Sequence, residues 1–437
     1  MKVAVVGYGA EGAQNYLYWS ARGDDVTIVD EQTTPGRELP VGAKTILGAH
    51  ALGRLDEFDL VVRTAGLAPT KLRTSTKVWS ATNEFFLQCP APIIGVTGSK
   101  GKGTTCSLIT SILRAAGYTV HLVGNIGTPA LEVLGSIEAD HVVVYELSSF
   151  QLWDIERSPH HSAVLHIEAD HLDVHTDFAE YLEAKANIVK FQTRSDTCVY
   201  HPRNEWSRAI AKNMPEFATR AAKYASEDNG SDDVETVCVR DGVFWTTNGR
   251  EICATNILKL PGAFNIENAC AAMSICLNYE VSNEAFAQGL GSFAGLPHRL
   301  KFVAEKLDVK YYDDSIATTP GSASAAAYAF SQPKIMILGG SSKGADFTEL
   351  AHALQDVQIR KLFLIGAEAD TIAATFAQEG LTNYEIVSGS MSDVVSRARD
   401  AAEPGDIVVL SPACASFGMF RDYKDRGDQF IAAVTAL

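Results

Sequence analysis

The stretch GVTGSKGKGTT, Gly95 to Thr105, lies between an apolar run, APIIGVT, and a helical pattern, TTCSLITSILRAAG. A buried strand, a glycine- and lysine-rich turn and a helix in that order constrain the chain to a parallel α/β layer, because parallel strands need crossover helices that cover both sheet faces. The glycines let the backbone approach a ligand, and the helix start presents amide N–H groups to an anion. The strict GxxxxGK[ST] pattern fails twice, at Val96 and Gly103. A phosphate cradle is nevertheless the reading that accounts for Gly98, Gly101, Lys102 and Gly103 together. Thr104 or Thr105 then supplies the hydroxyl missing at position 103, or a Mg²⁺ ion relies on carboxylate and phosphate oxygens plus water.

With 437 residues the chain is too long for one ordinary core, and three segments emerge. Residues 1–91 open with a strand, Gly7-x-Gly9-x-x-Gly12, a helical stretch, a second strand and Asp30. That is the pattern of a nucleotide-binding βαβ unit, although a structural glycine turn produces the same spacing. Pro90 and Pro92 mark a boundary, and residues 92–294 alternate strands with helical patterns as a parallel-sheet domain does. EDNGSDD, residues 227–233, reads as a polar loop. Residues 295–437 contain KIMILGG, KLFLIGA and DIVVLSPA, strands that end in small-residue loops where α/β proteins bind ligands. The fold class is therefore α/β with three domains.

The net charge of −16 excludes a general affinity for nucleic acid or anionic lipid, so an anionic ligand must be met locally. Eight cysteines without CxxC pairs read as reduced thiols in a cytoplasmic protein. No apolar window is long enough to insert into a membrane, and no leader is expected before the first strand.

Two further clusters carry chemistry. HVVVYEL ends in Glu146, a carboxylate at a strand end that suits Mg²⁺ or simply caps a helix. HIEADHLDVH packs His171 between Asp170 and Asp173, an arrangement for a metal or for orienting an imidazole. On the helical pattern EYLEAKANIVKF the spacing does not choose between Lys185 and Lys190.

With GVTGSKGKGTT, ELSSFQL, ADHLDVH, LPGAFNIENACAA, GLPHRL, YYDDSIATTPGSA, LGGSSKGADF and LSPACASFGMF in this order, the chain resembles the Mur ligase family over its whole length. SPACASF followed by RGDQF is similar to the glutamate-adding branch. The resemblance implies a Rossmann-like nucleotide-sugar domain, a central P-loop ATPase-like domain and a C-terminal Rossmann-like domain. It implies ATP-dependent ligation of glutamate, expected to be the D-enantiomer, to UDP-N-acetylmuramoyl-L-alanine through an acyl phosphate, in a monomer engaged in peptidoglycan synthesis.

By the same resemblance ATP binds between the central and C-terminal domains, held by the phosphate loop, Lys102, Asn268, Arg299 and Asp314. Two Mg²⁺ ions are expected near Glu146, His171, Thr104 and a carbamylated lysine, which the family helix places at Lys185. Gly9, Ala10, Glu11, Asp30 and Gly66 would hold UDP, with Asn125 and Asn265 lining the cleft. Thr318, Lys343, Ser416 and Tyr423 would hold glutamate. The chain departs from the family pattern at Gly103, Phe264 and Ile316, in lacking an Arg after Asp173, and at Glu31 and Gln32.

Four rivals share parts of the pattern: the same ligation with L-glutamate, a folylpolyglutamate-synthase-like glutamate ligase, a nicotinamide-dependent oxidoreductase built on GxGxxG, and a UDP-sugar-binding protein without turnover. The oxidoreductase reading leaves Lys102, Glu146 and His171 without a role.

Overall fold

The computed structural model describes residues 1–172, 174–213, 221–224, 234–341 and 344–437. Asp173, Lys343 and the 227–233 stretch lie outside them. The chain divides into two compact units, Met1–Ile257 with Ile266–Phe293, and Leu258–Asn265 with Ala294–Leu437.

The first unit begins with a parallel five-stranded sheet in the order β3-β2-β1-β4-β5, formed by β1 (Lys2–Val6), β2 (Asp25–Asp30), β3 (Lys44–Leu47), β4 (Leu60–Arg63) and β5 (Val78–Ser80). Helix α1 (Ala10–Ala21) follows β1, and α2 (Ala81–Gln88) follows β5. Strand order reverses between β1 and β4, and a ligand crevice of a doubly wound sheet opens at such a switch point, beyond the carboxyl ends of the strands. The GxGxxG glycines sit there. A Cβ on Gly12 would come within 2.1 Å of the Gly7 carbonyl oxygen, so the third glycine is what lets the helix close on the turn.

The same unit holds a parallel six-stranded sheet in the order β11-β10-β9-β6-β8-β7. Its strands are β6 (Ile93–Thr97), β7 (Val120–Gly124), β8 (Val142–Glu146), β9 (His161–Val164), β10 (Thr197–Tyr200) and β11 (Ala221–Lys223). Between them run α3 (Lys102–Ala115), α4 (Ala130–Val133), α5 (Ser149–Leu152), α6 (Phe178–Lys190) and α7 (Glu205–Ala211). β6 and β8 are buried at every position, as a sheet covered on both faces requires. The sequence pattern did not anticipate the antiparallel sheet of β12 (Val237–Arg240), β13 (Val243–Thr246) and β14 (Glu251–Ala254) that follows. Helices α8 (Ala263–Cys276) and α9 (Asn283–Ser292) come next, and residues of α8 from Ile266 onward belong to this unit.

In the second unit six strands take the order β15-β16-β20-β17-β18-β19. These are β15 (Lys301–Lys306), β16 (Val309–Asp313), β17 (Lys334–Gly339), β18 (Ile359–Ile365), β19 (Tyr384–Ile386) and β20 (Ile407–Leu410). Only the β15–β16 hairpin is antiparallel. Two apolar clusters, one on each face, bury Met336, Leu338 and Val409 on one side and Ile335, Ile337 and Val408 on the other. Strand alternation assigns neighbouring residues to opposite cores in this way.

Candidate active site

The phosphate loop connects β6 to α3. Gly101, at φ +87°, caps the helix, and a Cβ there would stand 2.4 Å from Asn268 Oδ1. The first i→i−4 bond of α3 runs from the Thr105 N–H to the Gly101 carbonyl at 2.9 Å, so the amides of Gly103 and Thr104 precede it at the positive end of the helix dipole. Lys102 folds back over the loop, its Nζ donating to the carbonyls of Gly98 at 2.8 Å and Ser99 at 2.9 Å. Thr104 is buried one residue past Gly103, about 100° further round the helix. Thr105 is buried as well, and its Oγ1 lies 3.5 Å from Asn268 Oδ1.

Helix α6 brings a second lysine to the same loop. Asp177 caps the helix by accepting the Glu180 N–H at 2.8 Å, a contact worth about 1 kcal/mol to the helix start. Tyr181, Ala184, Lys185 and Ile188 then form its buried stripe, while Lys190 is exposed. This stripe is the signal that distinguishes the two lysines, and the spacing argument overlooked it. Lys185 Nζ donates to Gly98 O at 3.0 Å and Thr97 Oγ1 at 3.3 Å, and sits 4.7 Å from the Tyr181 ring centroid. Burial holds its pKa well below the ordinary lysine value; Lys102 pushes the same way, against Asp170 and Glu146. Burial and the Lys102 charge thus both favour the uncharged amine beside the loop.

Glu146 ends β8 in register with Val96 of β6, which places a carboxylate, 5% exposed, at the strand edge beside the phosphate loop. The Asn125 N–H donates to the Glu146 carbonyl at 3.3 Å, bringing the Gly124–Gly127 turn to the same edge. His171 occupies an exposed turn at φ +56°, with Nε2 3.6 Å from Asp170 Oδ2 and its ring 5.0 Å from that of Phe150.

Sequence reasoning missed Ser99, Tyr181 and His175. The Ser99 hydroxyl donates to Glu168 O at 2.8 Å and accepts from the Glu168 N–H at 2.9 Å and from Tyr181 OH at 2.7 Å, which fixes the loop against the 166–168 segment. His175 is buried among Phe150, Trp153 and Tyr181, its Nε2 2.9 Å from Ser149 Oγ.

At the switch point of the first sheet, Asp30 accepts the Tyr8 N–H at 2.8 Å and the Gln32 N–H at 2.9 Å. Glu11 accepts the Ala65 N–H at 3.2 Å, and burial pushes its carboxyl upward. Gly9 caps α1, Ala10 begins it, and Gly66 faces open space just beyond the end of β4, so these residues lie past the carboxyl ends of adjacent strands.

In the second unit, Asp314 is buried, accepting the Leu300 N–H at 3.0 Å and the Ser411 hydroxyl at 2.7 Å; burial raises its pKa to about 7. Its carboxylate thus secures the segment that carries Arg299. Arg299 Nε is buried with no hydrogen-bond partner among the described residues. Arg426, fully buried, was not foreseen: it donates to Ser315 Oγ at 2.9 Å, Ser315 O at 2.7 Å, Cys414 O at 3.1 Å and Ala415 O at 3.3 Å. Ser315 Oγ in turn donates to Tyr423 O at 2.7 Å, so one guanidinium ties the segment before Thr318 to Ser416 and Tyr423. Asn265 Nδ2 donates to Pro261 O at 2.7 Å.

A strand-end glycine loop, two lysines on one loop carbonyl and a carboxylate on the neighbouring strand are groups that suit a polyphosphate at the carboxyl edge of an α/β sheet. The model of the Mur ligase middle domain matches residues 96–276, and that of the Mur ligase, glutamate ligase domain matches 298–414. The chain is 33% identical over 454 residues to a UDP-N-acetylmuramoylalanine–D-glutamate ligase of Clostridium botulinum, covering 100% of this chain and 97% of the relative. It is 36% identical over 451 residues to the enzyme of that name from Symbiobacterium thermophilum, covering 100% and 98%. Its fold matches the crystal structure of a MurF ligase from Thermotoga maritima in complex with ADP, with TM-score 0.59 at 15% identity over 98% of this chain and 93% of that one. The chain belongs to the Mur ligase family of ATP-dependent, amide-bond-forming ligases.

Proposed function

We propose that this chain joins D-glutamate to UDP-N-acetylmuramoyl-L-alanine in the cytoplasm, with ATP activating the alanyl carboxylate as an acyl phosphate. The observation that carries the reading is the convergence of Lys102 and Lys185 on the Gly98 carbonyl, beside a strand that ends in Glu146. The choice of D-glutamate is supported by the two full-length relatives named for it.

A carboxylate oxygen of the sugar-peptide attacks the γ-phosphorus of ATP, and the bond to ADP breaks. The amino nitrogen of glutamate then attacks the acyl carbon, phosphate leaves, and the nitrogen loses its proton. Lys102 offsets charge that spreads over the transferring oxygens, and the amides of Gly103 and Thr104 orient the phosphates. Glu146 and His171, with Thr104 and a carbamate on Lys185, would hold Mg²⁺: Glu146 is a buried carboxylate at the end of the strand beside the loop, and burial with Lys102 nearby favours the uncharged Lys185 amine that CO₂ adds to. Bound there, Mg²⁺ would draw charge from the transferring phosphoryl group. The crevice around Gly9, Ala10, Glu11, Asp30 and Gly66 takes the UDP group. In the second unit, Thr318, Ser416 and Tyr423 hold glutamate.

The test is phosphate release from ATP and Mg²⁺ with UDP-N-acetylmuramoyl-L-alanine and each glutamate enantiomer. Release with D-glutamate alone, accompanied by the lengthened sugar-peptide, is expected. Turnover of L-glutamate, or of a pteroyl acceptor in place of the sugar-peptide, overturns the reading.

A further inference from the structure

Arg63 is the last residue of β4 and is fully buried. Its guanidinium has five N–H donors, and five acceptors meet them. Nε donates to Asp154 Oδ2 at 2.6 Å, and Nη2 to Asp154 Oδ1 at 2.6 Å and Phe150 O at 2.9 Å. Nη1 donates to Thr64 O at 3.3 Å and Leu67 O at 3.2 Å. No donor remains for a ligand, so Arg63 is not a substrate-binding arginine despite its place at the end of a sheet strand.

What it touches divides into two groups. Thr64 and Leu67 bracket Gly66 and the Ala65 N–H that bonds Glu11, on the rim of the first sheet's crevice. Phe150 and Asp154 belong to α5 and the turn after it, just beyond Glu146. The Phe150 ring lies 5.0 Å from that of His171 and stacks at 5.4 Å on that of His175. Asn83 holds the same turn from behind, donating to Asp154 O at 2.9 Å and accepting the Glu156 N–H at 2.8 Å. A rotation of the 64–67 loop drags the guanidinium, and with it Asp154 and the backbone of Phe150, whose ring packs beside that of His171, because a planar fork on a carboxylate tolerates little misalignment.

We propose that Arg63 is a positioning residue that couples the proposed nucleotide-sugar site to α5 and the proposed Mg²⁺ site beside it, so that occupation of either one tightens the other. This rests on the reading of the two sites given above. Coupling of binding free energies is reciprocal and takes typical factors of about 5 to 150. The inference is tested by calorimetric titration of UDP-N-acetylmuramoyl-L-alanine into the full chain with and without Mg²⁺, for wild type, Arg63→Lys and Asp154→Asn. Asp154→Asn is the milder change and covers the case in which the arginine variant does not fold.

Wild type is expected to bind the sugar-peptide at least about five-fold more tightly with Mg²⁺, and both variants less than about two-fold. A merely structural role lowers the active fraction or the melting temperature and leaves that ratio intact. An unchanged ratio in a folded variant overturns the inference, as does a wild-type ratio of one. Wild type that binds no sugar-peptide in either condition overturns the functional reading instead.

Discussion

Lys102 Nζ and Lys185 Nζ donate to the same oxygen, the carbonyl of Gly98, at 2.8 and 3.0 Å. Two ammonium charges on one oxygen are held together poorly, and the buried partner yields first: burial and Lys102 both depress Lys185. Under the proposed function, addition of CO₂ to the amine with loss of a proton would turn a repelled cation into an anion facing Lys102. Replacing Lys185 with Ala should lower kcat by about 100-fold or more, on the scale of a lost transition-state charge contact, and short carboxylic acids should restore part of it by occupying the vacated space. Full activity of the variant without any added acid would remove the carbamate from the site.

Gly103 leaves the first turn of α3 without the hydroxyl that usually follows the loop lysine, and the buried Thr104 is its nearest replacement. Thr104→Val keeps the shape and removes only the oxygen. The Mg²⁺ concentration for half-maximal activity should rise about three- to ten-fold, as losing one neutral ligand oxygen among several would produce, with the KM for glutamate unchanged. An identical Mg²⁺ titration would mean that carboxylates and water complete the metal shell.

Gly101 meets two constraints at once. Its φ of +87° disfavours any side chain, and a Cβ would press on Asn268 Oδ1 at 2.4 Å. Left-handed backbone costs an L-residue about 1–2 kcal/mol, and the contact adds to it. Gly101→Ala should therefore weaken ATP binding by about ten-fold or more, measured by titration calorimetry, since it displaces the helix start that orients the phosphates. Unaltered affinity would show that the loop relaxes around the methyl group.

Much of this was legible in the sequence because it is local. The loop after β6, the carboxylate ending β8 and the glycine turn after β1 are each set by short-range patterns of apolar strand, glycine and helix. Lys185 was not separated from Lys190 by spacing; the resemblance alone picked it out, and the signal that the spacing reading passed over is its register with Tyr181, Ala184 and Ile188 on the buried stripe. Arg63 and Arg426 were not legible. Their acceptors lie up to 91 and 111 residues away, and an arginine that will be saturated by distant carbonyls looks in sequence like any other charge. The β12–β14 sheet escaped for a different reason, since its strands are four residues each and too short for alternation to stand out.

Asp314 gives the second unit a defined pH response. Its carboxyl is raised from 3.8 to about 7, chiefly by burial, opposed by the Ser411 hydroxyl and the Leu300 N–H. Between these two values the folded state binds a proton that the unfolded state has released. The contribution is therefore fully present below about pH 4 and is lost as pH rises through 7. Asp314→Asn removes the titration while keeping one acceptor oxygen. Plotted from pH 5 to 8, the melting temperature of wild type should fall relative to that of the variant, steeply from pH 5 towards 7 and levelling off above 7. Parallel curves would mean that the two hydrogen-bond donors keep Asp314 ionised throughout that range, and that it secures the Arg299 segment as a carboxylate.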